Sequence, residues 1–133
     1  MGMQFLTKKP QGPSFALGAA EVHPLDLTTA YSTLANKGVY LGHAAILSVK
    51  NAKGEDVIPP YTVPEGRQTV SPQAAYVVTD ILAGNTNPAV NPVWGDMAIV
   101  QNGVRRPATL KTGTNNDAKD LSAYGYIAPP VST

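Results

Sequence analysis

Arg106–Tyr126, RPATLKTGTNNDAKDLSAYGY, decides how this chain is read. A β-prone run, a polar turn and a second β-prone run predict two strands joined by a turn, with Lys111-Thr112-Gly113-Thr114 on the first. A strand of this composition suits an anion. The Lys111 ammonium supplies a fixed positive potential, and the hydroxyls of Thr112 and Thr114 can donate to a carboxylate. Gly113 carries no side chain and lets a ligand backbone lie close against the strand.

Composition narrows the partners. The 133 residues fit one domain able to bury roughly two thirds of its unfolded surface. A formal charge of +1 with 14% charged residues gives no basic field, which argues against a nucleic-acid partner. Without cysteine there is neither a disulfide framework nor a thiolate metal site. His23 and His43 are the only histidines, and no set of His, Asp and Glu has metal-ligand spacing, so neither metal nor cofactor is expected. The N-terminus does not read as a signal peptide, and no apolar run approaches the ~18 residues of a membrane span.

Working outward from the strand pair, residues 1–13 read as a loop. From Pro24, Leu27, Ala30, Tyr31, Leu34 and Ala35 recur on one helical face, with Pro24 at the first helical position, Asp26 near the positive end of the dipole and Gly38 as C-terminal cap. His23 reads as a helix-entry residue. Ala45–Lys50 and Glu55–Ile58, separated by Asn51-Ala52-Lys53-Gly54, have a hairpin signature, and Pro59 to Gly66 reads as a connector. A second helix starts at Ser71-Pro72, with Ser71 as N-cap and Ala74, Val77, Val78, Ile81 and Leu82 as its buried stripe, and ends at Gly84. Residues 85–105, with two Asn-Pro steps, form a long connection containing a short strand at Met97–Val100; Trp94 there reads as a core anchor in preference to a cleft wall. The acidic pairs Glu55-Asp56 and Asp117/Asp120 fall at turns, where solvated carboxylates are common, and Ser71 has no base beside it.

Three blocks share an order known elsewhere. Lys-Thr-Gly is the third sequence element of penicillin-binding proteins and class A β-lactamases. Arg106-Pro107-Ala108 before it and Asn116-Asp117, Lys119-Asp120 and Gly125-Tyr126 after it resemble the transpeptidase domain of class A penicillin-binding proteins. Ala16 to Leu27 with Ala30-Tyr31 and Leu34-Ala35-Asn36-Lys37-Gly38 resembles the family's helix preceding that strand. Ser71 to Tyr76 with Thr79-Asp80 and Leu82 also stands in family order. The family's other two elements are missing: no Ser is followed three residues later by Lys, and no Ser-x-Asn triplet occurs. Leu121-Ser122-Ala123 also departs from the family, which carries a large aromatic residue after the acidic one.

The resemblance implies an α+β chain with antiparallel strands and packed helices. Residues 1–133 would be the C-terminal part of a D,D-transpeptidase domain that cross-links peptidoglycan stem peptides and is acylated by β-lactams. In that role Lys111 tunes the proton network beside the absent nucleophilic serine, and Thr112, Gly113 and Thr114 bind the substrate or drug carboxylate. The N–H of Thr114 supplies one oxyanion-hole donor. The partners implied are stem peptides or β-lactams and the rest of the transpeptidase domain, with strand-edge self-association along Leu121–Ile127. The resemblance further implies an extracytoplasmic, membrane-anchored parent whose anchor is not in this chain, and inactivity of the chain alone. The alternative is a non-catalytic binding or structural module.

Overall fold

The computed structural model describes residues 1–3, 12–18, 20–95, 100–101, 103–106, 108–114 and 119–127. Two helices and three antiparallel strand pairs make it α+β, as the sequence implies. Most of the loop expected over residues 1–13 lies outside the described residues; Pro13–Leu17 form one 3-10 turn.

Helix α1, Pro24–Ala35, begins with Pro24 in its first turn and His23 at the N-cap. Its end differs in detail from the sequence expectation. The cap is Asn36, Lys37 takes the left-handed conformation (φ 53), and Gly38 follows with φ 86. Lys37 N–H donates to Leu34 O and Gly38 N–H to Thr33 O, the paired bonds of a Schellman motif. Gly38 is required two residues beyond the cap because the returning chain crosses there. Its carbonyl accepts from Thr69 N–H at 3.0 Å, and a Cβ on it would run into the Val70 carbonyl oxygen. Strand β1, Val39–Tyr40, pairs with β2, Arg67–Gln68, and Arg67 lies 5.8 Å from the centre of the Tyr40 ring, within cation–π range. The sequence reading had not singled out this pair.

Between them, the expected hairpin forms with a well-bonded tip and irregular arms. Asn51 Oδ1 accepts from the N–H groups of Lys53 and Glu55, and Lys50 and Asp56 make one bridge and an exposed ion pair at 2.9 Å. Beyond it, Val57 N–H donates to Val49 O and Tyr61 N–H to Leu47 O, both at 2.7 Å, without forming a regular ladder, and Ile46, Leu47, Val57 and Ile58 stay exposed.

Helix α2, Pro72–Gly84, starts as expected, with Ser71 Oγ accepting from Ala74 N–H at 3.2 Å. Its buried face is not the stripe the sequence suggested. Ala75 is buried and Thr79 half-buried, whereas Val77 and Ile81 remain 54% and 65% exposed. The reason is polar. Thr79 Oγ1 lies 2.7 Å from the Tyr126 hydroxyl, and the end of α2 bonds to the chain entering the next strand, so the helix turns its Ala75–Thr79 side inward. Likewise on α1 the most buried residues are Thr29, Ala30 and Thr33, while Leu27, Tyr31, Leu34 and Ala35 are half-buried.

The interior between the helices is therefore built from alanine and threonine. Burying a hydroxyl is costly unless it is bonded. Here Thr29 donates to Leu25 O, Thr33 to Thr29 O and Thr79 to Ala75 O, each one helical turn back, so small side chains bury without an unmet donor. Strand β3, Val100–Gln101, pairs with β4, Val104–Arg105, and the rest of the Met97–Val100 expectation lies outside the described residues. Strands β5, Lys111–Thr114, and β6, Leu121–Tyr124, form the expected pair, in register Lys111↔Tyr124 to Thr114↔Leu121. Tyr31 of α1 meets Tyr124 at 5.8 Å and Tyr126 at 6.3 Å between ring centres, so α1 packs against β6 and the residues that follow it.

Two outcomes follow from these contacts. Gly38→Ala should lower the unfolding free energy by about 1–3 kcal/mol, from a strained left-handed alanine and the Val70 clash; an unchanged denaturation midpoint would contradict this. Burial, with Tyr126 and Tyr124 nearby, pushes the Tyr31 phenol above its ordinary value. Its contribution is fully present below the unfolded value of about 10 and is lost as pH rises through the raised folded value. Thermal melts from pH 9 to 11 should therefore fall less steeply for Tyr31→Phe than for the wild type, and equal slopes would refute the assignment.

Candidate functional site

The entry to β5 is fixed by the C-terminus of α2. The last carbonyls of a helix have no partner within it. Leu82 O accepts from Asn85 N–H at 3.3 Å and also from Leu110 N–H at 3.1 Å, joining the helix end to the residue before Lys111. Asn85 Nδ2 donates to Leu110 O at 2.6 Å, and buried Thr86 donates through Oγ1 to Ala108 O at 2.9 Å. On the other side, Thr109 N–H donates to Tyr126 O at 2.8 Å, and Thr109 Oγ1 accepts from Tyr126 N–H at 2.8 Å. Residues 108–110 are thus held between the helix end and the chain leaving β6.

From that anchor, β5 runs out with one edge paired to β6 and, among the described residues, no strand on its other edge. The four predicted site residues lie in sequence along this strand. Because side chains alternate along a strand, Lys111 and Gly113 share one face with their cross-strand partners Tyr124 and Ser122, and Thr112 and Thr114 take the other with Ala123 and Leu121. A Cβ on Gly113 would come within 2.8 Å of Ser122 Oγ, the end of an exposed side chain that can rotate aside. Lys111 and Thr114 are exposed and Thr112 half-buried. The Lys111 ammonium bonds to Thr112 O at 2.7 Å. Lys111 therefore lies on the opposite face of the strand from the two threonines. Asn116 and Asp117 lie outside the described residues.

The sequence reading missed what stands beside Lys111. Asn87-Pro88 and Asn91-Pro92 each open a turn in which the Asn side-chain oxygen accepts an N–H two residues on, from Ala89 at 3.0 Å and Val93 at 3.1 Å. Asn91 Oδ1 also accepts from Trp94 N–H, and Asn91 Nδ2 reaches Asn85 Oδ1 at 3.4 Å. These turns place Trp94 and Lys111 on the lining of one pocket. Together with Asn85, Asn91, Leu110 and Thr112 they line an open pocket of about 170 Å3. Trp94 is 40% exposed and forms a cleft wall, which corrects its expected role as a core anchor. The two Asn-Pro steps were the available signal. Among the described residues no cluster of three or more His, Asp or Glu is placed to hold a metal. Asp56 is taken by Lys50, and Glu55 accepts from Asn51, so this acidic pair is part of the turn.

An α+β chain whose Lys-Thr-Gly-Thr strand is joined to the end of α2 and, among the described residues, has no strand on its second edge is the class this geometry defines. Comparison with known proteins agrees with it. The chain is 28% identical over 120 residues to penicillin-binding protein 1A of Neisseria lactamica, covering 88% of this chain and 14% of that protein. The crystal structure of PBPA from Mycobacterium tuberculosis superimposes with a TM-score of 0.55 at 23% identity, over 88% of this chain and 27% of that one. No family model matches. The resemblance to penicillin-binding proteins read from the sequence is borne out, and the fold is that of the matching part of such a protein. No helix among the described residues is long and apolar enough to cross a membrane.

Thr109 gives the sharpest test of the anchor. Thr109→Val leaves Tyr126 N–H without its acceptor in a partly buried place, and should cost about 1–2 kcal/mol of stability. Thr28→Val, which removes a similar bond at an exposed site, should stay within about 0.5 kcal/mol of the wild type. Equal losses in chemical denaturation would remove the anchor from the account.

Proposed function

We propose that the chain is the C-terminal part of a penicillin-binding D,D-transpeptidase domain and contributes its carboxylate-binding strand. The observation that carries this reading is the open edge of β5, rigidly attached at Leu110 and lined in order by Lys111, Thr112, Gly113 and Thr114. A stem peptide or β-lactam laid along that edge would place its carboxylate against the hydroxyls of Thr112 and Thr114. Thr114 N–H would then donate to the oxyanion that forms when the carbonyl is attacked. Lys111, released from the Thr112 carbonyl, would set the potential and the proton network beside the attacking serine.

That serine must come from outside these 133 residues, since no Ser-x-x-Lys occurs in them. The outward apolar side chains of α2, Val77 and Ile81, support a chain that packs against more of its own domain. The longer protein would work outside the cytoplasmic membrane, held by an anchor elsewhere in its sequence.

Acyl transfer needs nucleophile, base and oxyanion hole together, and the parts do not act additively. Intact-protein mass spectrometry of the 133-residue chain after incubation with benzylpenicillin should therefore show no covalent adduct, and a stoichiometric mass increase would overturn the reading. In a complete domain containing this chain, Lys111→Ala should slow acylation by orders of magnitude with the fold intact, and Thr114→Val should mainly weaken carboxylate recognition. Acylation of Lys111→Ala at the wild-type rate would equally sink the proposal.

A further inference from the structure

Asn85 occupies the junction of three segments. Its backbone caps α2, its side-chain amide donates to the carbonyl of Leu110 at 2.6 Å, and its side-chain oxygen accepts from Asn91 Nδ2 at 3.4 Å. Asn91 in turn holds Trp94 through its N–H at 3.2 Å. Leu110 is bonded to Lys111, and Lys111 and Trp94 line the same pocket. A single half-buried amide thus connects the base of the strand to the loop that walls it.

We propose that Asn85 is the positioning residue of the Lys-Thr-Gly-Thr strand, holding its Lys111 end and the Trp94 loop at one fixed spacing. The consequence for ligands rests on the carboxylate-binding reading above; the mechanical link does not. Asparagine is suited to the task because it presents a donor and an acceptor on one short, planar group. The donor goes to the strand and the acceptor to the loop. Aspartate has the same shape and keeps the acceptor but offers the Leu110 carbonyl no proton. Alanine removes both links.

The two variants separate positioning from general stability. Amide hydrogen exchange, followed by NMR on the full 133-residue chain well below its melting temperature, reads the strand, and the Trp94 indole resonance reads the loop. In Asn85→Asp the amides of Leu110, Lys111 and Gly113, which face α2 and β6, should exchange about tenfold faster, the scale of one lost hydrogen bond, while those of Ala30 and Thr33 in α1 stay unchanged. The Trp94 indole signal should move little. In Asn85→Ala the strand amides should exchange as fast or faster, and the Trp94 signal should shift as well. Unchanged exchange in the strand would overturn the proposal. So would acceleration shared equally with α1, or failure of both variants to fold, since either result would make Asn85 a stabilising residue and nothing more. A titration of the wild type with benzylpenicillin that left Lys111–Thr114 unmoved would instead defeat the ligand reading and leave the exchange result standing.

Discussion

The unsatisfied carbonyls at the end of α2 determine where the site can be. Leu82 O serves both the helix cap and the amide of Leu110, so the helix terminus and the strand entry share one acceptor. Asn85 and Thr86 add side-chain bonds to Leu110 O and Ala108 O, and three consecutive residues of the incoming chain lose their freedom. β5 can then have an open edge without drifting. An edge strand is ordinarily a liability because its free backbone groups invite foreign pairing. Here it is anchored at one end by a helix and along one side by β6, as the proposed binding of an extended ligand along that edge requires.

The same constraint explains the modest interior. To bring Leu82 and Asn85 to the strand, α2 turns its Ala75–Thr79 side toward Tyr126 and leaves Val77 and Ile81 outside. The helices meet through alanines and threonines, whose hydroxyls are met within their own helices. The larger contributions come from Tyr31 stacked near Tyr124 and Tyr126, which ties α1 to the strand pair.

Local chemistry was legible in the sequence wherever a residue acts on its immediate neighbours. Ser71-Pro72 starts α2, Pro24 starts α1, and Asn51 to Gly54 make a turn. The strand-turn-strand around Lys111 was legible because two β-prone runs flank a polar turn. Rotation of the helices was not. Counting large apolar residues selects Val77, Val78 and Ile81, but the choice of face was made by hydroxyl and carbonyl partners 25 to 47 residues away. β1 and β2 were missed because two-residue strands carry no periodicity, and they are set by Gly38 and its crossing with Thr69 and Val70. In the site, the strand was visible and its wall was not. Trp94 comes to share a pocket with Lys111 through two successive Asn turns and the Asn85–Asn91 contact, a path that sequence spacing does not encode.

If one hydrogen bond couples the helix end to β5, it should be observable in solution without any substitution. Through-hydrogen-bond scalar coupling on the 15N,13C-labelled chain measures it directly, by transfer from the Leu110 amide nitrogen to the carbonyl carbon that accepts its proton. The account predicts a cross-peak to Leu82, alongside one from Thr109 to Tyr126. A Leu110 amide coupled to any other carbonyl, or exchanging freely with water, would contradict it.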